Sequence, residues 1–184
     1  MHRIADTSKL SYLLCLCLCL SAGALTAQPL GHTLTRLDKP FTPENFVLKD
    51  LDGETHELAD YRGKVVLVNF WGTWCPPCIE EMPSMERLYQ TLGDQPFTVL
   101  AVNQWETEEH VFPFMGQLEV YPSFPILFDP TSRIAEAFGV KGLPSSFILD
   151  PEGRVVYVAQ GGRNFDHPEV VKLITDLLPA TTTP

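Results

Sequence analysis

The feature that most narrows the fold is a change of period at one junction. Lys64-Val65-Val66-Leu67-Val68-Asn69-Phe70 is a continuous β-branched and apolar run, as expected of a strand buried on both faces. Beyond it, Ile79, Met82, Met85, Leu88, Tyr89 and Leu92 recur every three or four residues up to Gly93, which is helical spacing. Pro83 falls inside that helix and is expected to kink it. Between strand and helix stand Cys75 and Cys78.

The rest of the chain fits the same layered plan. Phe46 onward meets the turn Asp52-Gly53 and continues through Glu54 to Leu58, which predicts an N-terminal β-hairpin. Phe97 to Asn103 reads as a second strand and Glu106 to Leu118 as a helix interrupted by Pro113 and Gly116. Phe124 to Phe128 is a short strand candidate, followed by a short helix from Ser132 to Phe138. Ser145 to Asp150, the turn Pro151-Glu152-Gly153 and Arg154 to Ala159 predict a hairpin, with a last helix from His167 to Leu178. The fold class expected is α/β, a mixed central sheet flanked by helices. Residues 28–40 show no sustained period and read as a linker, 41–179 as one domain and 180–184 as a tail.

Residues 1–27 have the order of a secretory signal: Arg3 and Lys9, an apolar run from Leu10 to Leu20, then the small residues around Ala22-Gly23-Ala24. A cleaved signal peptide is expected, with an uncleaved anchor as the alternative, since 18 residues from Leu10 to Ala27 approach the length of a membrane span. Three of the five cysteines (Cys15, Cys17, Cys19) lie in that stretch, which leaves Cys75 and Cys78 for the domain. One pair three positions apart is no disulfide framework, so it is a redox site or half of a metal site. A formal net charge of −10 argues against binding nucleic acid.

A thiolate attacks in disulfide exchange, and a helix N-terminus favours it. Cys75 is placed to attack, and Cys78, one turn deeper, to resolve the mixed disulfide.

Phe70-Trp71-Gly72-Thr73-Trp74-Cys75-Pro76-Pro77-Cys78 with Pro83, and later Gly142-Leu143-Pro144-Ser145, resemble the active-site segments of the thioredoxin superfamily. The signal segment, the hairpin, the Gly63-to-Trp71 strand, Glu81-Met82-Pro83 and Ala101-Val102-Asn103 are similar to those of the TlpA/ResA-like thiol:disulfide oxidoreductases. Peroxiredoxins share the hairpin and the Gly-Lys-Val strand but lack a CxxC of this form. The resemblance implies a thioredoxin-like fold and a periplasmic or otherwise exported enzyme. It implies no cofactor beyond a redox-active Cys75–Cys78 disulfide.

It further implies a cis Leu143-Pro144 bond facing the pair, with Trp74, Pro76, Leu143 and Pro144 binding an extended substrate by β-augmentation. Glu81 would move the proton of the resolving thiol. The expected partners are disulfides of exported proteins and a membrane-embedded thiol electron donor.

The chain departs from these families in two places. Thioredoxin has a buried aspartate where this chain has Asn69, so that acid-base route is absent. The cytochrome-c-maturation branch follows its cis proline with an acid, where Ser145 and Ser146 stand here, so a dedicated cytochrome role is not implied. Pro76 and Pro77 offer no N–H to a thiolate, which favours the reductase direction. The competing functions are a metallochaperone that holds copper(I) or zinc through the pair, and a thiol peroxidase.

Overall fold

In the computed structural model, residues 30–180 are described. The leader expected over residues 1–27 and most of the 180–184 tail lie outside that range.

Six strands form one mixed sheet in the order β1-β8-β7-β4-β5-β6. These are β1 (Thr35–Phe41), β4 (Val65–Trp71), β5 (Phe97–Gln104), β6 (Ile126–Asp129), β7 (Ser145–Leu149) and β8 (Val155–Gln160). β4 runs parallel to β5 and antiparallel to β7, so it occupies the centre. The predicted hairpin is a separate ribbon of β2 (Val47–Lys49) and β3 (Thr55–Glu57). The helices are α1 (Pro76–Thr91), α2 (Glu108–Met115), α3 (Arg133–Ala137) and α4 (Pro168–Leu177).

Every residue of β4 is buried, and its side chains alternate between two cores as the two-residue strand period requires. Val65, Leu67 and Trp71 face a core with Met82, Met85 and Leu88 of α1 and with Val170 and Ile174 of α4. Val66, Val68 and Phe70 face the other, with Phe46, Ile134 and Phe138. Asn69 falls on the α1 side of this alternation, a buried amide among apolar neighbours. α1 runs from Pro76 to Thr91 with Pro83 inside it.

The main departure from expectation is at the front. Residues 28–40 were expected to form a linker, yet Thr35–Phe41 pairs antiparallel with β8 as the sheet edge. Leu37 is its only residue that is not fully exposed, so the strand has no apolar alternation to reveal it. Backbone pairing holds it, and Pro40 is tolerated because an edge strand need not donate on both sides. The folded body therefore begins before residue 41.

Candidate active site

Cys75 is the residue before α1, in extended conformation (φ −105°, ψ 97°), and Pro76 and Pro77 form the first helical positions. Pro fits there because its fixed φ suits the helix and the N–H it lacks would have no helical partner. Cys75 and Cys78 form a disulfide with Cα atoms 5.3 Å apart. Cys75 retains 4% exposure and Cys78 none, so the order of access is the expected one, although both are nearly covered in the oxidised form. The N–H groups of Cys78 and Ile79 both donate to the Cys75 carbonyl, at 3.0 and 3.3 Å. With two prolines before them, the first turn directs no amide at the Cys75 sulfur.

The bond between Leu143 and Pro144 is cis. Ser145 pairs with Phe70, so Pro144 sits at the sheet end where the chain turns through Gly72 and Trp74 into Cys75. The buried Pro144 carbonyl accepts from Gly161 N–H at 2.9 Å. Leu143 is half-buried between the two cores, and Pro76 is exposed. Trp74 stands 56% exposed beside the pair, its ring stacked on that of Trp105 at 5.7 Å. Gly72 makes room for that ring, since a Cβ there would lie 2.8 Å from Trp74 Nε1.

Glu81 is fully buried, unlike its exposed neighbour Glu80. Its carboxylate accepts from Asn69 Nδ2 at 2.7 Å and from the Arg163 backbone N–H at 2.8 Å. Burial pushes its pKa up to about 8, against the opposing pull of those two hydrogen bonds. Asn69 Nδ2 also donates to Ser146 Oγ at 3.0 Å. Asn69 and Ser146, read from sequence as departures from related families, thus position the one buried acid of α1 that lies a turn beyond Cys78.

Sequence reading took Glu106 as the first residue of a helix and missed its role; the helix starts at Glu108, and Glu106 lies in the loop before it. It accepts from Thr73 N–H (2.8 Å), Thr73 Oγ1 (2.5 Å) and Asn103 Nδ2 (2.9 Å), and so ties the turn before Cys75 to the end of β5. Glu106→Ala would leave three donors without their acceptor and should destabilise the protein by about 2 to 3 kcal/mol. Urea denaturation of the oxidised protein measures it, and Glu106→Gln should cost less.

Among the described residues, the clusters that bring three metal-ligating side chains together are His32–His167–Glu169 and Asp50–Glu54–His56, neither of which contains a cysteine.

Residues 42–158 match the AhpC/TSA family. The thiol-disulfide oxidoreductase ResA of Geobacillus thermodenitrificans is 43% identical over 120 residues, 65% of this chain and 68% of that protein. The chain is a ResA-like thiol:disulfide oxidoreductase of the AhpC/TSA family. ResA of Bacillus thuringiensis subsp. konkukian is 39% identical over 132 residues, 71% of this chain and 75% of that one. A thiol:disulfide interchange protein DsbE from Chlorobium tepidum has a similar crystal structure, with a TM-score of 0.70 at 31% identity, covering 78% of this chain and 99% of that one. The thioredoxin-like fold and mixed sheet expected from sequence are those of the family. No helix among the described residues is long and apolar enough to cross a membrane.

Proposed function

We propose that this oxidoreductase is exported and works as a reductase, passing electrons from a membrane-embedded dithiol to disulfides of exported proteins. Export rests on the order of charged, apolar and small residues over positions 1–27. The direction rests on one observation: no N–H of the first turn of α1 is aimed at the Cys75 sulfur.

A strong oxidant of this kind holds its reduced form by stabilising the thiolate. Here Pro76 and Pro77 have no donor, and the amides of Cys78 and Ile79 are committed to the Cys75 carbonyl. The thiolate gains little, and the disulfide is the favoured state.

In the reductase cycle the Cys75 thiolate attacks one sulfur of the client disulfide. That S–S bond breaks and the first client sulfur leaves as a thiolate, which takes a proton from water. Cys78 gives its proton to ionised Glu81 and attacks Cys75 Sγ, which forms the Cys75–Cys78 disulfide. The second client thiolate leaves and is protonated, so two electrons have passed to the client. The donor dithiol reverses these steps on the enzyme, and protonated Glu81 returns the proton to Cys78. A carboxyl with a pKa of about 8 can serve in both directions near neutral pH. Trp74, Pro76, Leu143 and Pro144 frame the surface on which an extended client segment pairs with the chain ahead of β7.

Equilibration with a dithiothreitol or glutathione buffer, read by alkylation, tests the direction. The expected potential lies nearer the thioredoxin value of about −270 mV than the strongly oxidising value of about −120 mV. A value near the latter would make the chain an oxidase. Replacing Pro76 with a residue that restores an N–H should move the potential upward.

A further inference from the structure

Two residues other than glycine have left-handed backbone among the described residues, Trp105 (φ 62°) and Ser132 (φ 58°). Both line the same cavity of about 300 Å³. Left-handed backbone costs a residue with a Cβ roughly 1 to 2 kcal/mol, so an observed instance points toward function. For Trp105 the cost is not offset by burial, since the residue is 60% exposed.

The cavity adjoins the active site through two residues. Leu143, beside the cis proline, forms one wall, and Trp105, stacked on Trp74, forms another. Ala135 and Val140 add apolar surface, and the exposed Glu136 and Lys141 also line it. Two of the polar groups in it are engaged with neighbours: Ser132 Oγ donates to Gln104 Oε1 at 2.8 Å, and Gln104 Nε2 reaches Asp129 Oδ2 at 3.4 Å. Asp129 Oδ2 also accepts from the amides of Ile134 and Ala135, at 2.9 and 3.0 Å, which fixes the start of α3 against the cavity. These bonds hold the wall of the cavity in place.

We propose that Trp105 and this cavity form a specificity subsite for a bulky apolar side chain of the client, two residues from the client cysteine. The offset follows from extended geometry: side chains at i and i+2 share a face about 7 Å apart, so the residue on the cysteine's face is the second one away. This inference rests on the proposed reduction of protein disulfides. A group that fills such a pocket changes specificity by roughly 10- to 200-fold.

The test uses mixed disulfides of glutathione with peptides that carry Phe, Leu, Ala or Asp at the second position on either side of the cysteine. On one side, Phe and Leu should exceed Ala and Asp in kcat/KM by about tenfold or more, with the difference carried by KM. Trp105→Gly, which suits the left-handed backbone and removes the ring, should bring that ratio within about twofold. Trp105→Phe should retain most of it. No Phe preference in the native protein, or a preference that survives Trp105→Gly, overturns the subsite. Failure to reduce any of the peptides would instead count against the reductase reading. The subsite is then decided by tryptophan fluorescence titration with peptides carrying Ser for Cys: tighter binding of the Phe peptide that is lost in Trp105→Gly upholds it, and equal binding of the Phe and Ala peptides overturns it.

Discussion

Replacing Cys78 by serine should arrest the enzyme as mixed disulfides on Cys75. The variant keeps the attacking sulfur and loses the one that releases the client. Covalent adducts should therefore accumulate to near one per chain, while turnover falls by at least about 10³-fold. Cys75→Ser should lose turnover equally and trap nothing. Mass spectrometry of the adducts would identify the clients directly. In the reduced native protein, alkylation should reach Cys75 first, since Cys78 retains no exposure even with its partner at the helix start. Faster labelling of Cys78, or adducts on Cys78 in the Cys75→Ser variant, would reverse the two roles.

The second large effect is one of pH on stability, through Glu81. Its pKa is about 8 in the fold against 4.5 as a free side chain, because burial penalises the carboxylate more than Asn69 and Arg163 favour it. A group raised by folding binds its proton more tightly in the native state. The stability it contributes is fully present below about pH 4.5, is lost as pH rises through about 8, and changes no further above that. At about 1.4 kcal/mol per pH unit across that window, the loss is on the order of 5 kcal/mol. Urea denaturation of the oxidised protein from pH 4 to 9 should show this decline relative to Glu81→Gln, which has no proton to lose. Asp50 stays out of the window. Burial pushes it upward, but hydrogen bonds from His56 and from the amides of Glu54 and Asp52 outweigh that and hold it below its ordinary value, so its contribution disappears only in stronger acid. Parallel curves for the two proteins would mean that Glu81 is not buried as a neutral acid. The rate of mixed-disulfide resolution should likewise turn over near pH 8 in the native enzyme and lose that feature in Glu81→Gln.

Where burial imposed a period, the sequence was readable. Lys64 to Phe70 marked the central strand, because both faces of β4 are covered, and the recurrence from Ile79 to Leu92 marked α1 because one face of it packs on that strand. The pair between them, with its two prolines, marked the candidate active site. β1 escaped notice because an exposed edge strand is held by its backbone, which leaves no side-chain pattern. Glu106 and Trp105 sit in a loop whose value lies in contacts with Thr73 and Trp74, some thirty residues earlier. Glu81 was a candidate by resemblance and by its place three residues after Cys78. Its burial against Arg163, 82 residues away, is a property of the sheet and not of the helix that carries it. Asn69 and Ser146 each looked like the loss of an acid, and only their meeting on adjacent strands shows them as the cradle of another.

On the proposed exported reading, the capture of the N-terminal arm would set how far an anchored form could reach from a membrane. Gly31 already bridges to Arg163, whose guanidinium donates to the Thr33 carbonyl at 2.9 Å, before β1 joins the sheet. A leader ending at residue 27 would then be followed by only three residues, 28 to 30, ahead of the folded body. Three extended residues span roughly 10 Å. Were the leader kept as an anchor, the domain would ride against the lipid surface on a leash of about that length. It would meet a membrane-embedded donor by lateral diffusion in two dimensions, and client proteins would have to come to the surface. Were the leader removed, the same arm would close the sheet edge of a freely diffusing carrier. On the proposed exported reductase reading, removal or retention of the leader would decide whether electrons are delivered at the membrane or throughout the compartment.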